Sequence, residues 1–254
     1  MQNRNQKIAS TFENKCAILR TYTTFPFFDL HKLNLHSLIL FILGLGCGYT
    51  TEVNPSLQEK KTTPPTELHA SIIGLQPFGQ FSKVHATSVA SALEATFNFK
   101  VIVLPPQPLP AHTFVHIKTP RYRADSLIVH LRRQKKKQFV CVLGLTNKDI
   151  STTKRDKHGQ TLKPASKYQD WGVFGLGFCP GVACIVSTYR LNSANPLFIS
   201  QLKKISVHEV GHNFGLPHCP NSGCVMMDAA ESIKTIDKVK LDFCSSCRMK
   251  LPKS

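Results

Sequence analysis

A chain of 254 residues with 42% apolar and 19% charged side chains is long enough to bury one good core and too apolar to be intrinsically disordered. Its 32 basic against 15 acidic residues give a formal charge of +17 and a pI of about 9.6. Such a field attracts nucleic acid, acidic lipid or acidic peptide, but no arginine-rich motif or aromatic–glycine pattern marks a dedicated nucleic-acid surface.

Residues 1–36 lack periodicity and are set apart as a leader. The run SLILFILGLGCG (Ser37–Gly48) is uncharged and apolar. It is shorter than the roughly 20 residues of a bilayer span and has the size of a secretory h-region. It resembles a bacterial lipoprotein signal ending at Cys47, with Gly46 before the cysteine and Gly44 where a leucine is usual. On that reading Cys47 tethers an exported protein to a membrane, and translation is expected to start downstream of Met1. The alternatives are a buried strand or helix and a cytoplasmic protein. Thr50–Glu67 is polar, with three prolines, and reads as a linker. The leader (1–36) and the signal-like run with its linker (37–67) therefore precede one folded domain, 68–254.

Within that domain, His69–Gly79 reads as a buried strand ending in a turn, and Val84–Asn98 as a helix with Val84, Val89, Leu93 and Phe97 on one face. Lys100–Pro105 is a second strand. Ala124–Lys137 is a helix with basic residues in its last turn, where they suit the dipole, and Gln138–Thr146 is a third strand. This alternation predicts an α/β fold whose strands are largely parallel. Gly172–Thr188 breaks the pattern: two apolar arms around Cys179-Pro180-Gly181 predict a hairpin at the sheet edge. Asn195 and Pro196 then have the chemistry of an N-cap and a first helical residue, and Phe198, Leu202 and Ile205 begin a stripe that continues through His208 and His212.

An i,i+4 pair places the imidazoles of His208 and His212 on one helix face, close enough to share a cation. Glu209 is turned about 100° around the helix from His208, so it can face the open side of that cation without ligating it. Gly215 and Leu216-Pro217 end the helix, which lets His218 swing back. Three neutral imidazoles fill three corners of a tetrahedron and leave the fourth for water, the arrangement of a catalytic zinc.

Of nine cysteines, Cys16, Cys47, Cys141, Cys179 and Cys184 are scattered, whereas Cys219, Cys224, Cys244 and Cys247 crowd the last 36 residues. Cys219-x4-Cys224 and Cys244-x2-Cys247 have the spacing of two zinc knuckles, which together make a closed, structural four-thiolate site. Two disulfides, or reduced core cysteines, are the alternatives. A Zn2+ bound there would restrain the chain just after His218.

Together these residues resemble the archaemetzincin pattern H-E-x-x-H-x-x-G-x-x-H-C-x4-C-x-M-x17-C-x2-C, with every fixed position from His208 to Cys247 in register. LGLTNKDI (143–150) and VSTYRL (186–191) are also similar to strand endings of that family. The resemblance implies a metzincin-like zinc peptidase domain, a twisted mixed sheet with an active-site helix and a small C-terminal zinc-stapled segment. It implies two Zn2+ per chain: a catalytic ion on His208, His212 and His218, with Glu209 as general base, and a structural ion on Cys219, Cys224, Cys244 and Cys247. Met226 would form the Met-turn beneath the imidazoles, with Met227 the other candidate. The leader departs from the family, whose members usually lack a signal. The expected activity is hydrolysis of peptide bonds in a peptide or protein, with the edge near Trp171–Phe178 receiving the substrate as an added strand. A zinc-stabilised basic binding module is the competing reading; it leaves Glu209 and the vacant fourth ligand position without a role.

Overall fold

The computed structural model describes residues 72–228 and 232–252. The leader, the signal-like run with Cys47, and the linker lie outside the described residues. In chain order the elements are β1 (Ile72–Pro77), α1 (Lys83–Phe97), β2 (Lys100–Val103), β3 (Phe114–His116), β4 (Pro120–Arg123), α2 (Ala124–Gln134), β5 (Cys141–Thr146), β6 (Ile150–Thr152), α3 (Ala165–Tyr168), β7 (Trp171–Val173), β8 (Gly175–Gly177), β9 (Ala183–Ser187), α4 (Phe198–Asn213), α5 (Ile233–Lys238) and α6 (Ser245–Arg248).

The long apolar runs become neighbours in one mixed sheet of order β2-β1-β5-β9-β8. The first four strands are mutually parallel, and β8 closes the edge antiparallel to β9. Period-two alternation sorts their side chains into two cores. Cys141, Leu143 and Leu145 of β5, with Cys184 and Val186 of β9, face α1 and α4. Val142, Ala183 and Ile185 face α2 through Leu127, Ile128 and Leu131. A Cβ at Gly144 would lie 2.6 Å from Ile185 Cδ1 and 2.9 Å from Leu131 Cδ1, so its absence lets α2 approach the sheet. Burial pushes the Cys141 thiol up to about 12 and the Cys184 thiol well above its usual value, so these two cysteines are inert core residues.

Several boundaries differ from the sequence reading. The basic helix ends at Gln134, because Lys135 turns outward and its Nζ donates to the Phe139 carbonyl at 2.6 Å. Asn195 is not the cap of α4, which starts at Phe198 after Leu197. The Asn195 side chain instead accepts from the Leu197 N–H at 2.9 Å, folding the chain over Pro196 before the helix begins. The first arm of the expected hairpin is divided. Its second half, β8, pairs with β9 as Gly175↔Val186, Leu176↔Ile185 and Gly177↔Cys184, but Trp171–Val173 joins another sheet.

That second sheet, β3-β4-β6-β7, has no counterpart in the sequence reading. Its strands are three or four residues long and carry little apolar alternation. Buried charge holds it together instead. Arg121 Nε lies 2.7 Å from Asp149 Oδ2, Arg121 Nη1 lies 3.2 Å from Asp170 Oδ2, and Arg190 Nη2 lies 2.9 Å from Asp149 Oδ2. The Arg190 guanidinium fills the space a side chain at Gly172 would need, which pins β7 to the chain leaving β9. Among the described residues no helix is long and apolar enough to cross a membrane.

Candidate metal centre

Helix α4 buries Phe198, Leu202 and Ile205 against the sheet, and the same face carries His212 and Glu209 into the interior. It ends as a Schellman turn: the Leu216 N–H donates to the Gly211 carbonyl at 3.0 Å and the Gly215 N–H to the His212 carbonyl at 2.9 Å. Gly215 sits at φ +85°, where a Cβ is strained. The reversal returns His218 to the helix, and the ring centroids of His208, His212 and His218 lie 4.6, 4.9 and 5.3 Å apart. One ligand nitrogen from each lies within 4.8 Å of the others.

The outer nitrogens decide what the inner ones can do. His208 Nδ1 is 2.8 Å from the Val225 carbonyl and His212 Nδ1 is 2.8 Å from the Leu216 carbonyl. A carbonyl only accepts, so both Nδ1 atoms carry the proton. Burial, reinforced by neighbouring imidazoles, holds His208 down at about 4 and His212 well below its ordinary value, so both rings are neutral at pH 7. Their Nε2 atoms are then bare lone pairs, yet they face each other at 3.0 Å. Two such lone pairs repel unless a cation lies between them. The spacing is close to the roughly 3.3 Å between corners of a tetrahedron with Zn–N bonds of about 2.0 Å. His218 Nδ1 lies 3.5 Å from Asp228 Oδ2, so its outer nitrogen faces a carboxylate. The donor set fits zinc.

Glu209 lies between α4 and the edge strand β8, almost fully buried. Burial raises its carboxyl to about 8, and the Gly177 N–H that donates to it pulls in the opposite direction. A Cβ at Gly175 would lie 2.8 Å from Glu209 Oε1, and one at Gly177 would lie 2.6 Å from the Glu209 carbonyl oxygen and 3.2 Å from Oε2. These two glycines let the strand touch the helix. The sequence reading passed over them, although their G-x-G spacing at an edge strand was visible. Gly177→Ala must push β8 off α4, since the clash is with backbone. We expect kcat/KM on a peptide substrate to fall about 10²-fold with zinc content unchanged, as measured by steady-state kinetics and metal analysis.

Two further residues escaped the sequence reading. Asn213 Nδ2 donates to the carbonyls of Phe178 and Ala183, both at 3.1 Å, tying the end of α4 to the β8–β9 turn. Asp228, which the sequence alone gives no role, is the carboxylate beside His218. Met226 is wholly buried beneath α4, and its Sδ lies 2.5 Å from where a Gly211 Cβ would be, whereas Met227 is partly exposed.

The sulfurs of Cys219, Cys224, Cys244 and Cys247 also converge within 4.8 Å. All four are free thiols, with Cys219 Sγ and Cys244 Sγ 3.7 Å apart. That separation matches the roughly 3.8 Å edge of a tetrahedron with Zn–S bonds of about 2.3 Å. The Ser246 hydroxyl and the Cys247 N–H hold the Cys244 thiol down at about 6, whereas burial raises Cys219 and Cys247. Segment 216–228 joins the two clusters. It carries the carbonyls that brace His208 and His212, it carries His218 and Asp228, and it contains Cys219 and Cys224.

The profile of peptidase family M54 matches residues 85–253. The archaemetzincin of Haloquadratum walsbyi is 28% identical over 186 residues, covering 69% of this chain and 96% of that protein. The archaemetzincin of Methanopyrus kandleri is 34% identical over 140 residues, covering 55% of this chain and 70% of that protein. The crystal structure of the Archaeoglobus fulgidus archaemetzincin with malonate superimposes with a TM-score of 0.56 at 27% identity, covering 71% of this chain and 99% of that one. Two converging clusters able to hold metal, a matching domain-length profile and a shared fold lead to one assignment: this chain belongs to peptidase family M54, the archaemetzincins, and is a zinc metallopeptidase.

Proposed function

We propose that His208, His212 and His218 hold a catalytic zinc through their Nε2 atoms, that Cys219, Cys224, Cys244 and Cys247 hold a second, structural zinc, and that Glu209 is the general base of peptide-bond hydrolysis. The observation that carries this reading is the pair of bare Nε2 atoms facing each other at 3.0 Å, a geometry that only a cation relieves. Zinc held there supplies Lewis acidity, polarising the scissile carbonyl and making water acidic near neutral pH.

The chain's own residues do the rest. The Val225 and Leu216 carbonyls and the Asp228 carboxylate orient the three rings and keep their protons on the outer nitrogens. Met226 is the Met-turn residue, an apolar floor that excludes water from beneath them. Glu209 accepts a proton from the attacking water and delivers it to the leaving amine. Its raised proton affinity suits a base that must take a proton near neutrality and give it back. The free edge of β8 receives the peptide as an added strand alongside Glu209. Tethering of the protein through Cys47 is supported by the 37–48 run alone.

The test is a peptide-library digest with parallel metal analysis. We expect cleavage, two zinc per chain, and activity abolished by a chelator and restored by added zinc. A single zinc per chain overturns the two-site assignment, and absence of cleavage at full zinc occupancy overturns the peptidase reading.

A further inference from the structure

The outer edge of both sheets is one continuous segment. Trp171–Val173 is the last strand of the small sheet and Gly175–Gly177 the last of the large one, with only Phe174 between them. A peptide strand added antiparallel to β8 therefore carries its C-terminal flank past β7. At about 3.3 Å per residue, Trp171 lies roughly 13 Å along this edge from Gly175, the span of about four substrate residues.

The surface there is cationic. Trp171 stacks on Tyr168 with centroids 5.5 Å apart, and Lys154 Nζ sits 4.2 Å above the Trp171 ring. Lys167 Nζ is 5.1 Å from the Tyr168 ring and 6.0 Å from that of Trp171. Lys118 Nζ donates to the Lys167 carbonyl at 2.9 Å and brings another ammonium to the same place. The carboxylates of this sheet are already engaged. Asp149 and Asp170 are buried on Arg121 and Arg190, Asp125 pairs with Arg123, and Asp156 accepts N–H groups of its own loop. Among the described residues, neither Lys118 nor Lys167 faces a carboxylate within salt-bridge distance.

We propose that Lys118 and Lys167, beside Trp171, form a subsite for an acidic side chain of the peptide substrate, about three to five residues C-terminal to the scissile bond. This rests on the peptidase reading and adds a substrate class to it. Continuity with the edge beside Glu209 favours a peptide. A nucleic-acid base would need an open aromatic face for stacking, and Lys154 and Tyr168 already cover Trp171.

The test compares kcat/KM for two peptides that differ only in Asp or Glu against Asn or Gln at those flank positions. Wild type should prefer the acidic peptide about tenfold at low salt, and the preference should shrink as salt rises. Lys118→Glu with Lys167→Glu should reverse the ratio, and Lys118→Arg with Lys167→Arg should keep it. A wild-type ratio of one, or a ratio unmoved by charge reversal, overturns the subsite while leaving the peptidase reading intact. Cleavage of neither peptide overturns both. Inhibition of both peptides by single-stranded RNA, lost in the charge-reversed variant, reassigns the surface to nucleic acid and also overturns the subsite.

Discussion

Glu209→Gln is expected to lower kcat/KM for peptide cleavage by about a thousandfold while the zinc content stays as in wild type. Glutamine fills the same volume between β8 and α4 and still offers an oxygen to the Gly177 N–H, so the geometry persists. Only the capacity to take and return a proton is lost. The variant should also gain stability in the metal-free protein, which separates a catalytic role from a structural one. Burial lifts the Glu209 carboxyl from an ordinary 4.5 to about 8. Its contribution is therefore fully present below pH 4.5 and is lost as pH rises through 8, because the folded state must give up a proton that it binds more tightly than the unfolded chain does. Thermal midpoints of metal-free wild type should fall between pH 5 and 8 relative to those of Glu209→Gln. The His208 and His212 shifts are common to both proteins and cancel in the comparison. In the zinc-loaded wild type kcat/KM should rise with pH as Glu209 ionises, with a midpoint below 8 because a dication beside a carboxylate favours its charged form. Wild-type cleavage rates in Glu209→Gln would falsify the base assignment.

Replacing Cys244 and Cys247 together by serine should remove one zinc per chain and lower the thermal midpoint by about 10 °C. It should also reduce peptidase activity, although neither residue belongs to the histidine cluster. The reason is the bracing by segment 216–228. The Val225 carbonyl that fixes His208 also belongs to a stretch whose backbone pairs with the C-terminal segment, through the Val225 N–H on the Asp242 carbonyl at 2.9 Å and the Lys240 N–H on the Gly223 carbonyl at 3.1 Å. Releasing Cys219 and Cys224 from their partners loosens the scaffold that holds His218 and the ring of His208. Isothermal titration with zinc should then show a weakened histidine site as well as a missing cysteine site. If metal analysis gives the wild-type zinc content, or if thiol titration of the wild type finds these cysteines oxidised, the four-thiolate assignment fails.

Much of the site was legible because its spacing is local. His208, Glu209 and His212 lie on one helix, where a period of 3.6 fixes their relative directions. The turn that returns His218 needs φ > 0, which singles out Gly215. The cysteine pairs are short-range motifs for the same reason. The large sheet was legible too, since buried parallel strands read as continuous apolar runs. Asn195 shows the limit of local chemistry: it has the side chain of a cap but spends its oxygen on the turn over Pro196.

By itself, then, the sequence determined which histidines and cysteines cluster, the α/β layering and the β8–β9 part of the edge hairpin, because each follows from contacts between residues a few positions apart or from period-two burial. Only the tertiary structure decided the rest. It placed Gly175 and Gly177 against Glu209, set main-chain carbonyls and Asp228 behind the imidazoles, and built the small sheet on Arg121, Asp149, Asp170 and Arg190. Most of these pairings join residues tens of positions apart, or a side chain to a carbonyl any residue could supply. Neither leaves a periodic trace in the chain.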